Sequence, residues 1–435
     1  MSDPIAVFST DVLIIGAGPA GLAAALAATT QAGVMVTIID ENPAPGGQIW
    51  RGGAGHWRDS RAQALWNTLS QRTNLRIMYG ARIVARVARF SEQEFLLETA
   101  DGAQTIRWGK CILCTGAREL LLPFPGWTLP GVTGAGGLQA LIKGGMPVRG
   151  KRVVIAGSGP LLLAVADTAR RAGARVVAIA EHRSNAELIR FFLALLHQHR
   201  GKFLQAIKLF WHLKQIAYRH DARVIKATGE QKLNSVSLQH GSKILDIPCD
   251  FLACGFGLLP NPELGSLLAC EVQDGSIQVD AHQACSQPAI WAAGEACGIG
   301  GVDKALAEGR IAGLAATGQA ISTDALAVRA QARAFAHLLN SSFATDAEWR
   351  HLCQPDTLVC RCEDVSSRQL AEHGDWRSAK LMTRAGMGAC QGRICGAACQ
   401  FLFGWQAPGM RLPVFPAKVA TLAALGVIGA GEETH

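Results

Sequence analysis

The chain has 435 residues, of which 49% are hydrophobic, and its 42 Lys and Arg against 34 Asp and Glu give a formal net charge of +8. That length exceeds what one hydrophobic core usually supports, so two or three domains are expected, and the composition is that of a globular chain. No apolar run reaches membrane-spanning length, the opening residues Met1 to Phe8 lack the basic and long apolar regions of a secretory signal, and thirteen cysteines without a small-domain disulfide pattern fit a reducing compartment; the expectation is a cytoplasmic protein.

The first element begins after Asp11: an apolar strand Val12 to Ile15, the turn Gly16-Ala17-Gly18-Pro19-Ala20-Gly21, then an alanine-rich helix. A second strand, Val34 to Ile39, ends in Asp40 and Glu41 at the distance a ribose-binding acid requires. This is a dinucleotide fingerprint in its full strand-turn-helix setting. Gly16 makes the turn, Gly18 lets the backbone approach a pyrophosphate, and Gly21 permits close helix-strand packing, while Asp40 or Glu41 accepts the ribose hydroxyls.

Three later stretches decide between cofactors. Pro45-Gly46-Gly47-Gln48-Ile49-Trp50-Arg51, then Thr115-Gly116-Ala117-Arg118, then Gly294-Glu295-Ala296 followed by a helix starting near Val302 resemble the successive flavin-contact motifs of two-dinucleotide-domain flavoproteins. The resemblance implies FAD rather than NAD. It puts Glu295 where an aspartate usually bonds the ribityl and phosphate region, and it turns the helix at Val302 toward the flavin pyrimidine ring, where an N-terminal dipole stabilises negative charge. Cys111 and Cys114 form a Cys-x-x-Cys, but they sit in an apolar strand where positions three apart face opposite ways, so both are read as core residues.

A second strand-turn-helix runs from Arg152 through Gly157-Ser158-Gly159-Pro160-Leu161-Leu162, with Glu181 ending the following strand. Leu162 stands where the third glycine belongs and would push the helix off the strand. NAD(P) binding is therefore in doubt, and a vestigial or differently used site is the reading. Residues 183 to 232 carry ten Lys and Arg against Glu187, Asp221 and Glu230. The core of that segment has helical periodicity with apolar and basic faces, which fits an internal helical hairpin, a docking face for an acidic partner, or a peripheral membrane-surface element. No nucleic-acid-binding motif accompanies the charge, and His197, His199, His212 and His220 do not have metal-triad spacing. A stretch of helical composition without flexible Gly/Ser runs, 321 to 352, then acts as a connector.

Near the C-terminus, Cys360-x-Cys362 and Cys390-x4-Cys395 make two thiol pairs separated by a helix-length segment. Structural zinc sites usually show Cys-x2-Cys-like knuckles, so this spacing favours a [2Fe-2S] centre, with zinc or free thiols as the alternatives. Glycines around the second pair, Gly386, Gly388, Gly392 and Gly396, let backbone N–H groups approach a negatively charged cluster. Cys399, one turn beyond Cys395, is read as a buried bystander.

Taken in order, the first fingerprint, Pro45-Gly-Gly-Gln, Thr115-Gly-Ala-Arg, the degenerate second fingerprint, Gly294-Glu295 and the four cysteines resemble the alpha subunits of hetero-oligomeric dye-linked amino-acid dehydrogenases. That family includes hydrogen cyanide synthase, opine oxidases and D-hydroxyproline dehydrogenase, with heterotetrameric sarcosine oxidase and archaeal proline dehydrogenase as more distant relatives. The resemblance covers essentially the whole chain. Its most specific part, Thr383 to Cys395, looks like a bacterioferritin-associated-ferredoxin-like [2Fe-2S] domain, from which it departs in the wider spacing of the second cysteine pair. The implied fold is α/β, with two Rossmann-like dinucleotide-binding domains of the flavoprotein disulfide reductase type and a small helical cluster domain. The expected boundaries are 1–148 with 248–320 for the FAD domain, 149–247 for the inserted NAD-like domain, 321–352 for the connector and 353–435 for the cluster domain. By the same resemblance, a beta subunit with its own FAD oxidises the amine, and this chain carries the electrons onward; the basic amphipathic segment motivates a quinone or respiratory carrier as the acceptor. Some members add an FMN at the subunit interface or a small gamma subunit. Two rivals are a self-contained NAD(P)H-dependent flavoprotein reductase feeding an electron carrier, and a non-catalytic scaffold holding zinc and flavin.

Overall fold

A computed structural model describes residues 6–87, 93–406 and 410–430, with side chains described as far as 425. Residues 1–5 of the opening segment lie outside the described residues. The chain forms two compact units, residues 1–118 with 259–337 and 409–435, and residues 119–258 with 338–408.

The first unit is built on a seven-stranded sheet. Strands Val36–Asp40 and Gly102–Leu113 lie parallel on either side of Ala6–Ile15, Leu75–Tyr79 extends one side, and Glu94–Thr99 and Arg82–Arg86 add antiparallel strands on the other. Ile290–Ala292 pairs in parallel with the end of Gly102–Leu113. The central strands are apolar on both faces, Leu13 and Ile14 alike being fully buried, as a parallel sheet covered on both sides requires. One face packs under the helix Pro19–Ala28 with Leu22, Ala24 and Ala28; the other holds Leu13, Phe95, Leu97 and Ile106. Cys111 and Cys114 are buried in these two separate clusters, so the strand does place them on opposite faces.

In the second unit, five short parallel strands run in the order Tyr218–Arg219, Arg175–Glu181, Arg152–Gly157, Phe251–Gly255, Val132–Gly134. An antiparallel meander, Ala222–Thr228, Ser235–His240 and Lys243–Pro248, follows. The basic segment divides accordingly: its first half forms the helices Asn185–Gln198 and Arg200–His212, while Arg219, Arg223 and Lys226 sit on strands. The break between units falls at Arg118 rather than near 148, because Val132–Gly134 and the helix Ala135–Lys143 build the second sheet and its core.

The connector is the helix Thr323–Ser342 and a short 3-10 turn, Ala347–Leu352. Beyond it, the hairpin of Leu358–Cys360 and Val365–Ser366 leads into the helices Ser367–Ala371, Trp376–Thr383 and Cys395–Phe403, packed around Trp376, Val359 and Leu370. The expected cluster domain is shorter at its end than 435. The helix Val419–Ala430 belongs to the first unit, where Ala424 packs with Val84 and Leu96, and the Glu98 carboxylate accepts from the Lys418 N–H at 2.6 Å and the Thr421 hydroxyl at 3.0 Å.

Candidate cofactor sites

The first glycine turn has the geometry its sequence requires. Gly16 adopts φ +107°, a conformation that favours glycine, and a Cβ there would lie 2.3 Å from the Cys114 carbonyl oxygen. A Cβ on Gly21 would lie 1.8 Å from the carbonyl oxygen of Gly16, so only a bare Cα lets the helix Pro19–Ala28 sit this close to the turn. Gly18 is the N-cap of that helix, with Pro19 at its first position and Ala20 buried behind it, leaving first-turn N–H groups free of side-chain caps for a phosphate. Gly21→Ala should therefore push the helix off the turn and lose flavin: the flavin-to-protein absorbance ratio of the folded, purified variant is expected to fall severalfold, whereas retention of full flavin would remove this turn from the binding site.

The acids divide their duties. Asp40 is buried and its carboxylate accepts from the Ala17 N–H at 2.6 Å and from the Asn42 N–H and side-chain amide at 2.7 and 2.8 Å, so it fixes the glycine turn. Glu41 points to solvent and pairs with Arg82 at 3.1 Å. Gly46 donates to the Ala17 carbonyl, which holds the Pro45 to Arg51 loop over the turn, and the Cα of Gly18 lies 3.0 Å from where a Cβ on Gly47 would be. Gln48 and Arg51 bond one another at 3.0 Å at the loop's exposed edge.

Thr115, Gly116 and Ala117 leave the sheet beside Asn261. The Thr115 hydroxyl donates to the Asn261 carbonyl at 2.7 Å, the Asn261 amide returns a bond to the Thr115 carbonyl, and Arg118 pairs with Glu263 at 2.9 Å. The helix expected near Val302 starts at Gly301, and the Glu295 carboxylate accepts from the N–H groups of Gly300 and Gly301 at 3.2 and 2.6 Å. Burial pushes Glu295 up from the usual carboxylate range, against those bonds and the nearby Lys304 ammonium.

Under this loop lies a network that the motifs did not reveal. Glu308, fully buried, accepts from Lys304 at 2.8 Å, from Arg333 at 2.7 Å and from the Gly294 N–H at 3.0 Å, while Lys304 donates to the carbonyls of Gly294 and Gly298. The sequence signal was available: an acid four residues after a lysine inside a helix otherwise rich in alanine and glycine.

At the second glycine turn the structure answers the question Leu162 raised. Leu162 is fully buried, and Gly255 stands opposite it, where a Cβ would come 2.8 Å from a leucine methyl; the missing glycine is relocated to the neighbouring strand. Glu181, at the end of the following strand where a ribose-binding acid would stand, bonds protein groups: it accepts from the N–H groups of Gly159 and Arg183 at 2.9 and 3.0 Å, and burial raises its pKa. The crevice outside the strand ends is lined by chain. Phe343 lies 3.4 Å from where a Cβ on Gly159 would be, His182 bonds Asp346 at 3.2 Å, and Trp349 packs edge-on between His182 and Phe256. Beside Gly157 lies a small void, with about the least room that holds one water molecule, lined by His182, Phe256 and Trp349.

The four C-terminal cysteines meet within the second unit. The Cys390 thiol interacts with those of Cys395 and Cys362, and Cys395 with that of Cys360. Cys360 and Cys395 are buried, Cys390 is half-buried and Cys362 exposed. A hydrogen bond from Cys395 and the N–H groups of Ile394 and Gly392 pull the Cys390 thiol down to about 4, and Cys395 is pushed up in turn. The Gly386 N–H donates to the Cys360 sulfur at 3.5 Å, and a Cβ on Gly388 would lie 2.3 Å from that of Cys362. The sulfurs meet as neighbouring pairs. Among the described residues no three His, Cys, Asp or Glu groups are set around a single metal ion. Four cysteine sulfurs meeting in two pairs, with backbone N–H groups turned toward sulfur, are the kind of donor set that a cluster of two irons would require. Cys399 is fully buried among Leu370, Trp376 and Ala398, consistent with a packing role.

These features define a two-nucleotide-fold oxidoreductase. The chain belongs to the pyridine nucleotide-disulphide oxidoreductase family, whose family model matches residues 10–309. It is 32% identical to the HcnB subunit of hydrogen cyanide synthase from Pseudomonas protegens, over 90% of this chain and 91% of that one. It is 29% identical to an opine oxidase subunit of Agrobacterium tumefaciens, over 95% and 92% respectively. Among solved structures, L-proline dehydrogenase from P. horikoshii shares the fold, with a TM-score of 0.67 and 20% identity over 97% of this chain and 81% of that one.

Proposed function

We propose that this chain is the electron-transfer subunit of a hetero-oligomeric amino-acid or imino-acid dehydrogenase, of the opine or D-hydroxyproline type. It would bind FAD in the first unit and a [2Fe-2S] cluster in the second. The observation that carries the reading is the convergence of Cys360, Cys362, Cys390 and Cys395, from segments 30 residues apart, in a chain whose first glycine turn is shaped for a dinucleotide. The names of the relatives support it, since each is a subunit of an oxidase or synthase and matches this chain over nine-tenths of its length. FAD would be held by the turn Gly16 to Gly21, the loop Gly47 to Arg51, Thr115 to Ala117, and Gly294, Glu295 and Val302. Bound flavin supplies a two-electron acceptor that can release single electrons to a cluster. The protein's own groups position it: Asp40 rigidifies the turn, and the Glu308 network fixes the loop carrying Glu295. On this reading the amine is oxidised on a partner protein, a beta chain with its own FAD. An interface FMN or a small gamma chain would be further components, and the electrons leave to a quinone or respiratory carrier. A cytoplasmic location suits thirteen cysteines that all lack disulfide partners.

The rival reading, direct reduction by NADH or NADPH, is disfavoured by Glu181 being bonded to the second turn and by Phe343 and Trp349 lining its crevice. The test is anaerobic absorption and EPR spectroscopy of the purified protein, with iron and acid-labile sulfide quantified. Flavin bands, a [2Fe-2S] signal after dithionite, and no bleaching by NADH or NADPH are expected. Rapid bleaching by either nucleotide would make the reductase reading correct; flavin with zinc and no labile sulfide would leave the scaffold.

A further inference from the structure

The helices Asn185–Gln198 and Arg200–His212 carry apolar side chains on two sides, and the protein covers only one. In the first helix, Leu188, Phe191 and Leu195 are buried, with Phe191 packed edge-on to Phe192 and Phe343. Ile189, Leu193 and Leu196 repeat the spacing of three and four on another face and are 51%, 51% and 41% exposed. In the second helix no residue is fully buried, and Leu204, Ile207 and Trp211 form an outward row exposed by 66%, 46% and 68%. Scattered exposed leucines are ordinary; six large apolar side chains left exposed at helical spacing on two consecutive helices call for an occupant.

Charge identifies the occupant. From Leu188 to His220 the sequence contains no Asp or Glu, while Arg190, Arg200, Lys202, Lys208, Lys214 and Arg219 are basic. The Lys214 ammonium lies 4.4 Å over the Trp211 ring, a cation and an amphipathic aromatic set together at the outer end of the row. Protein interface cores are depleted of lysine. Lysines interleaved with Leu, Ile and Trp along an exposed helix are instead the arrangement of helices that lie in the headgroup layer, with apolar side chains below and ammonium groups among the phosphates. No helix among the described residues is long and apolar enough to cross a bilayer, so such contact lies on the surface.

We propose that this helical hairpin docks the protein reversibly on an anionic membrane surface through Leu193, Leu204, Ile207 and Trp211, with Lys208 and Lys214 engaging lipid phosphates. The docking does not depend on which cofactors the chain carries. If the electron-transfer reading holds, it brings the protein to acceptors dissolved in the bilayer.

The experiment is co-sedimentation of the full-length protein, alone and in complex with whatever partner chain co-purifies, with vesicles of phosphatidylcholine or of phosphatidylcholine mixed with phosphatidylglycerol. The expected result is binding to the anionic vesicles only, weakened by high salt. Because each basic residue near such a surface strengthens binding about fivefold, the double variant K208E/K214E should bind at least roughly tenfold more weakly. Trp211→Ala should also weaken binding, with thermal unfolding and flavin content unchanged in both variants because these side chains are exposed. No binding by the unmodified protein, or binding that neither variant alters, would overturn the proposal. Binding by the isolated chain that disappears in the complex would also overturn it, and would assign the face to a protein partner.

Discussion

Replacing Cys390 with serine is expected to give a protein that keeps its flavin and loses its iron. Cys390 touches both Cys362 and Cys395, so it is one of the two thiols, with Cys395, through which the cysteine pairs meet, and a hydrogen bond from Cys395 together with the Ile394 and Gly392 N–H groups favours its thiolate. A serine hydroxyl is a harder and far more basic donor, ill-suited to an iron–sulfur cluster. The Gly16 turn and the Glu308 network lie in the other compact unit, so nothing that would hold flavin is disturbed. Iron and acid-labile sulfide should fall to background, and the dithionite-reduced EPR signal should vanish while the flavin absorbance remains. Cys399→Ser is the control. Cys399 is fully buried in the same small core, so its replacement costs packing, on the order of 1 kcal/mol as for a modest core change, but leaves the cluster in place. A Cys390→Ser protein with unchanged iron content would remove this residue from the ligand set; loss of iron from Cys399→Ser alone would put Cys399 in its place.

How far the sequence carried the reading depended on the range of the interactions involved. The turn Gly16 to Gly21 was legible because its geometry is local: Gly21 must be bare to clear the carbonyl five residues earlier. That the four cysteines converge was suggested by their spacing because few residue types serve as soft metal donors, and the thiols do lie close together. The bonds that Asp40 accepts from the Ala17 and Asn42 N–H groups were not legible, since a strand-end acid carries the same pattern whichever backbone groups the fold brings to it. At Leu162 the expectation of a displaced helix missed a compensation across the sheet, because Gly255 is 93 residues away and no local pattern ties it to the turn. A still longer separation in sequence hid the packing of Phe343 and Trp349 on the second turn: a helical connector shows composition, not destination. The C-terminal helix Val419–Ala430 was assigned with the cluster by position in sequence, and its contacts with Val84 and Leu96 return it to the first unit.

Glu308→Ala should be strongly destabilising to the first unit. The wild-type carboxylate has two cations and one backbone N–H as partners, at 2.8, 2.7 and 3.0 Å, and neither it nor Lys304 can reach water. Removing it leaves the Lys304 ammonium buried with the Gly294 and Gly298 carbonyls and the nearby Glu295 carboxylate, and leaves Arg333 with Gln283 at 3.0 Å. Breaking one partner of a buried ion pair typically costs about 3–5 kcal/mol, because the remaining charge stays desolvated without compensation. The consequence extends to flavin, since Lys304 and Glu308 together pin both ends of the 294–298 loop and hence the position of Glu295. Guanidinium unfolding of Glu308→Ala should show a midpoint well below that of the parent, and the purified variant should have lost most of its flavin. Glu308→Gln, which keeps an acceptor for Lys304 but removes the charge, should fall between them. The double variant K304M/E308L decides whether charge or shape matters: replacing the whole pair by apolar groups is often close to neutral for stability, so it should recover much of the unfolding midpoint while still binding flavin poorly, because Gly294 and Gly298 lose the ammonium that holds their carbonyls. If K304M/E308L were as unstable as Glu308→Ala, the cost would come from packing in the helix Gly301–Ala316 and not from a stranded charge.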